Sequence, residues 1–173
     1  MWRRATGFTT LVHIILEQQV SLKSAKSMLL RLQTAIDPFT PEHFVDLGES
    51  HFRGLGVTRQ KSAYLLHLAG SVVDGRLSFA ALSRMTDDEA RMSLTRIKGI
   101  GSWSADVYLL MAMRRADVWP AGDLALAVAA KELWRLELKP TFDELERMAE
   151  RWRPYRAVAA RMLWQHYLGR KSV

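Results

Sequence analysis

The chain is 173 residues long and 49% hydrophobic, enough apolar material for one domain or two tightly joined lobes and too much for a disordered chain. Cysteine is absent, which excludes disulfides, thiolate-held zinc and an iron–sulfur cluster, and no apolar run approaches the ~20 residues of a membrane span. Lys and Arg number 25 against 18 Asp and Glu, a formal net charge of +7, and such an excess favours polyanionic partners because each neutralised phosphate releases counterions.

Helical periodicity runs through almost the whole chain and no stretch alternates at period two, so the expected fold is all-α. Helices are expected at about 8–19, 21–36, 41–47, 58–74, 78–83, 86–95, 102–114, 122–135, 141–152 and 155–168. In the first of these Leu11, Ile14, Ile15 and Gln18 share a face. Thr40-Pro41 sets an N-cap before a proline at the first helical position, where a missing N–H costs nothing. Leu65, Leu66, Leu68 and Ala69 mark the apolar side of the fourth helix. Thr86 with Glu89, and Thr141 with Glu144, have the spacing of capping boxes. Prolines 38, 41, 120, 140 and 154 all fall at helix boundaries. Repeats and low-complexity linkers are absent, which predicts a single unit over 1–173. Its two approximate lobes are 8–115, carrying a hairpin at 94–105, and 116–173 together with the N-terminal residues.

The most informative stretch is Leu94-Thr-Arg-Ile-Lys-Gly-Ile-Gly-Ser-Trp-Ser-Ala105. Gly99-Ile100-Gly101 sits between two helical segments. Glycine supplies positive φ and close approach there, and the amides at the start of the next helix, with its dipole, favour a phosphate oxygen. Lys98, Gly99, Ile100, Gly101 and Ser102 are the candidate DNA-binding residues of the turn, with Lys98 adding charge and Ile97 and Ile100 anchoring it inside. By itself a Gly-x-Gly reads as a helix C-cap followed by a loop. The whole string, however, resembles the helix-hairpin-helix signature of the DNA glycosylase superfamily, in its 3-methyladenine DNA glycosylase II branch.

Downstream, Trp119-Pro-Ala-Gly-Asp-Leu-Ala-Leu126 resembles the segment that carries the superfamily's catalytic aspartate, which places that residue at Asp123. Local physics agrees, since a helix N-terminus stabilises an ionised carboxylate, and such a group can stabilise positive charge on an anomeric carbon or position water. The alternative is a plain N-cap. Asp106 and Asp117 do not match the family position.

Bifunctional members of the superfamily such as endonuclease III carry a lysine two residues after the hairpin's second glycine. Here that position is Trp103, which cannot form an imine, and Lys98 lies on the other side of the turn. The resemblance therefore implies a monofunctional enzyme that removes alkylated bases such as 3-methyladenine and 7-methylguanine from double-stranded DNA. Base-pocket aromatics are expected at Trp103, Tyr108 and Trp164, where stacking and cation–π attraction suit cationic purines, although a tryptophan or tyrosine on a helix is also ordinary core. The family often has a tyrosine four residues past this tryptophan; this chain has Val107 there, with Tyr108 next to it. The Gln18-Gln19-Val20-Ser21 turn resembles the one that fills the gap left by a flipped base, with Gln18 or Gln19 as the inserted side chain. Arg59 and Lys61 are candidate phosphate contacts or solvated charges. The five histidines show no paired metal-ligand spacing, so no metal site or cofactor is expected, apart from a monovalent cation that hairpin carbonyls can hold in this superfamily. A cytoplasmic monomer acting on DNA, at the nucleoid in a bacterium, is the expectation. A glycosylase for uracil or an oxidised purine, a non-catalytic hairpin module and a helix-turn-helix regulator are the rivals.

Overall fold

The computed structural model describes residues 4–169, and among these the secondary structure is helical without strands. The helices are α1 (Phe8–Glu17), α2 (Leu22–Ala35), α3 (Pro41–Gly54), α4 (Arg59–Val73), α5 (Phe79–Leu82), α6 (Asp87–Thr95), α7 (Ser102–Met111), α8 (Leu124–Leu133), α9 (Phe142–Ala149) and α10 (Arg156–Gly169), with a 3₁₀ turn at Glu150–Trp152. The all-α expectation holds, and local chemistry sets many of the boundaries. Thr40 and Thr58 cap α3 and α4 by accepting from the amides three residues on. Both capping boxes form, Thr86–Glu89 on α6 and Thr141–Glu144 on α9.

Most boundaries shift by one to three residues, and three of the differences have a clear backbone reason. Gly48, with φ 70, interrupts α3 without ending it, so helix resumes to Gly54 and buries Phe52. α7 stops at Met111 because Met113 N–H turns back to the Tyr108 carbonyl and Arg114 adopts a left-handed φ of 57. α8 begins one residue after Asp123, which is extended and caps the helix from outside.

Two helices form the centre. α1 buries Phe8, Thr10, Leu11, Val12, Ile14, Ile15 and Leu16, and α7 buries every residue from Ser104 to Met111. Helices with so wide an apolar surface take the interior of the fold. They pass one another in opposite directions: Gln18, past the end of α1, meets Ser104 at the start of α7, while Gly7 N–H, before α1, donates to the Tyr108 hydroxyl near the end of α7. α2, α4 and α7 pack on α1, α3 packs on α4 and α6 on α7, while α8 packs with α9 and α10. One continuous apolar core joins all of them.

Candidate active site

The ends of the two central helices open onto one cleft of about 1250 Å³. Its walls include Gln18, Gln19, Lys61, Tyr64, the hairpin from Thr95 to Gly101, Trp103, Asp123 and Tyr167. A trough larger than ordinary small-molecule pockets suits an extended ligand.

The hairpin is fixed from three directions. Ile97 and Ile100 are buried beneath it. From α4, His67 Nδ1 accepts from Lys98 N–H at 3.1 Å, and the Tyr64 ring lies against Gly99, where an added Cβ would come within 2.2 Å of a ring carbon. Gln18 Nε2 donates to the Gly99 carbonyl at 2.7 Å and to Ser104 Oγ at 3.1 Å. Gly99 has φ 91, a conformation that favours glycine. Gly101 does not: its φ is −85, and a Cβ there would meet nothing within 4 Å. The expectation that the turn needs positive φ is thus met at Gly99 alone. Gly101 is the N-cap of α7 and provides no side-chain cap, so the helix's opening amides remain for an external acceptor. Of the carbonyls that could hold a hairpin cation, Ile97 already accepts from Ile100 N–H and Gly99 from Gln18.

Asp123, which lines the same cleft, is 7% exposed, with both carboxylate oxygens engaged. Oδ1 accepts from Leu126 N–H at 3.0 Å and Oδ2 from the Trp103 indole N–H at 2.8 Å. The N-cap reading of Asp123 is therefore correct, and the residue is also a cleft-lining carboxylate. Trp103 ties the hairpin helix to it directly. Each oxygen keeps lone-pair capacity for a further partner. The carboxylate sits at the N-terminal end of α8.

Several expected residues lie elsewhere. Tyr108 is 1% exposed, near the far end of α7, with its ring beside Phe79 and its hydroxyl bonded to Gly7, so it faces the core and not the cleft. Trp164 is 6% exposed and belongs to the core of α10; Tyr167, one turn further on, is the α10 aromatic on the cleft wall. Arg59 points away, 84% exposed and paired with Glu49 at 3.6 Å. Lys61 lines the cleft but is no solvated charge: it is 9% exposed, burial lowers its pKa, and Nζ donates to the Leu16 carbonyl at 2.6 Å. Ser102 is exposed but outside the cleft wall. Sequence reading missed Gln60, Tyr64 and His67. Their spacing of four and three residues puts them on one side of α4, a polar and aromatic stripe in an apolar helix. It also missed Arg96, an exposed cation on the hairpin side of the cleft. Among the described residues no group of three His, Asp or Glu side chains could hold a metal ion, and no helix is long and apolar enough to cross a membrane.

Comparison with known proteins gives the same picture. A family model described as HhH-GPD superfamily base excision DNA repair protein matches residues 12–154. The YfjP protein of Bacillus subtilis is 26% identical over 166 residues, covering 91% of this chain, which spans 58% of that relative's length. Among solved structures, 3-methyladenine DNA glycosylase Mag1 of Schizosaccharomyces pombe, in complex with abasic DNA, is similar at TM-score 0.86 and 28% identity over 91% of this chain and 79% of that one. DNA-3-methyladenine glycosidase of Bacillus halodurans gives TM-score 0.82 and 30% identity over 96% and 79% of the two chains.

Proposed function

Because the chain belongs to the HhH-GPD superfamily of base excision DNA repair proteins, we propose that it is a monofunctional DNA glycosylase that hydrolyses the N-glycosidic bond of alkylated bases, 3-methyladenine and 7-methylguanine among them, in double-stranded DNA. The observation that carries this is the Asp123 carboxylate held by Trp103 in a cleft that the hairpin also lines. The similarity to named 3-methyladenine glycosylases supports the substrate class.

The duplex lies along the trough with a backbone phosphate on the amides at the start of α7, beside Lys98 and Arg96. Gln19, exposed in a left-handed turn with φ 57 on the cleft rim, enters the gap left by the flipped nucleotide. Of the three aromatics on the cleft wall, Tyr64 is packed against Gly99, and Trp103 and Tyr167 remain to face the displaced base. As the C1′–N bond breaks, the Asp123 carboxylate stabilises positive charge on the sugar. Water then adds to C1′, its proton is released, and the base leaves with the bonding electron pair. A cationic alkylated purine leaves as a neutral molecule, so no strong acid is required opposite the carboxylate. No lysine stands at the position of Trp103. Of the two cleft lysines, Lys61 is buried on a carbonyl and Lys98 precedes the turn, five residues before Trp103.

Purified protein incubated with duplexes carrying 7-methylguanine, 3-methyladenine, uracil or 8-oxoguanine should release the two alkylated bases and leave strands intact until alkali is added. Release of uracil or 8-oxoguanine in preference, or an adduct trapped by borohydride, would overturn the assignment.

A further inference from the structure

Resting on that reading, we propose that Gln18 is a positioning residue for base displacement, a bolt that fixes the rim turn carrying Gln19 to the phosphate-binding hairpin. The turn has little support of its own. α1 ends at Glu17, and Gln19 adopts a left-handed conformation that non-glycine residues hold only when their surroundings impose it. Within the turn the backbone provides two long hydrogen bonds, Gln18 N–H to Ile15 at 3.3 Å and Val20 N–H to Glu17 at 3.4 Å. Ser21 serves the next helix, accepting from Ser24 N–H.

What holds the turn comes from other helices. Lys61 Nζ, on α4, donates to the Leu16 carbonyl just before it. Gln18 Nε2 crosses to the hairpin, where its two hydrogens meet the Gly99 carbonyl and Ser104 Oγ. The Gly99 carbonyl belongs to the residue that fixes the hairpin's path, and Ser104 lies in the first turn of α7, whose amides take the phosphate. A single side chain thus links the element that grips the backbone to the element that pushes into the stack. With the link intact, a phosphate bound at α7 sets the depth at which Gln19 enters. Without it, the hairpin still binds DNA, held by Tyr64, His67 and the buried isoleucines. The rim turn then recoils from the stack it must open.

The isosteric Gln18→Met removes both donated bonds and keeps the volume, while Gln18→Glu puts a carboxylate against a carbonyl. Each should be compared with the unaltered chain in single-turnover excision of 7-methylguanine from a fully paired duplex and from an unpaired bubble, where extrusion costs least. Affinity for undamaged duplex, the melting temperature, and the fluorescence of 2-aminopurine beside an abasic site should be followed as well. Excision from the duplex should fall about tenfold or more and from the bubble less than about threefold, with undamaged-duplex affinity within about twofold and the 2-aminopurine signal reduced. Equal losses on duplex and bubble would assign Gln18 to general support of the site, and unchanged duplex excision would make the bond dispensable; either result overturns the proposal. Because 2-aminopurine reports displacement without base release, a chain that unstacks DNA but excises nothing would refute the enzymatic reading and leave the role of Gln18 separately measurable.

Discussion

The two walls of the cleft are built on different plans. The hairpin wall is held by many small contacts from outside itself: a ring from Tyr64, an acceptor from His67, two donated bonds from Gln18 and two isoleucines in the core. The carboxylate wall depends on one residue. Asp123 is fixed by its own helix through Leu126 N–H and by one bond from outside, the Trp103 indole. A surface that must hold a phosphate in one register gains from redundancy, since phosphate contacts set position for every sequence alike. A group that must respond to charge developing at one atom needs a fixed place and an uncommitted face. The hairpin wall should therefore fail through its packing and the carboxylate wall through its chemistry.

The largest effect tests the carboxylate wall. Asp123→Asn keeps a side-chain oxygen able to accept from Leu126 or Trp103 but removes the charge that stabilises the sugar cation. Excision should fall by about a thousandfold or more while DNA affinity holds or rises, because a negative group near phosphate is gone. Single-turnover kinetics and a binding titration read the two quantities. Turnover close to that of the unaltered chain would show that the charge on this wall is not what drives the reaction.

The two hairpin glycines sharpen the contrast, since they should fail differently. Gly99→Ala forces a side chain into left-handed backbone and against the Tyr64 ring, so it should lower stability by about 2 kcal/mol or more and reduce DNA binding with it. Thermal melting measures the first loss. Gly101→Ala has ordinary backbone and open space, so the melting temperature should stay within about 1–2 °C. The new methyl group would instead meet a phosphate bound as proposed on the α7 amides, and affinity should fall about tenfold for damaged and undamaged duplex alike, at every salt concentration tried. A loss confined to one sequence or one lesion would mean that this turn reads bases and does not clamp the backbone.

What the sequence made legible follows the same division. The hairpin is a local signal of consecutive residues, and the Asp123 segment is another; caps such as Thr86–Glu89 need only three residues of context. The link between the two walls spans twenty residues and depends on an indole edge, so Trp103 was readable as a pocket aromatic but not as the partner of Asp123. Tyr108 and Trp164 went astray for a related reason. α7 is buried from Ser104 to Met111, which erases the period that tells a cleft-facing residue from a core one. On α10, Trp164 and Tyr167 are three residues apart, and either could have been the aromatic nearer the cleft. The α4 stripe of Gln60, Tyr64 and His67 was present in the sequence, but a helix with a clear apolar side gave no reason to ask what its other side supports.

The smallest expected effect on excision concerns what stands behind the hairpin wall. Asp106, 2% exposed on α7, is joined to Arg91 of α6 at 2.6 Å, and Arg91 also reaches Asp88 on the surface. Burial pushes the Asp106 carboxyl up to about 6, although Arg91 pulls it back. The folded chain therefore holds a proton there that the unfolded chain, with an ordinary carboxyl near 3.8, releases earlier. The sign follows from linkage: stability is lost as pH rises from about 4 to about 6, by roughly 2–3 kcal/mol for this group across the window. Asp106→Asn cannot titrate, so subtracting its melting temperature from that of the unaltered chain isolates the contribution from other ionising groups. That difference should move against the unaltered chain by several degrees between pH 4 and pH 6.5 and level off above it. A difference that is flat, or that moves in favour of the unaltered chain, would mean that Arg91 outweighs burial. The α6–α7 contact behind the hairpin would then be a net stabilising ion pair at neutral pH. Excision per folded molecule should be the same in both proteins at pH 7, because neither Asp106 nor Arg91 lines the cleft.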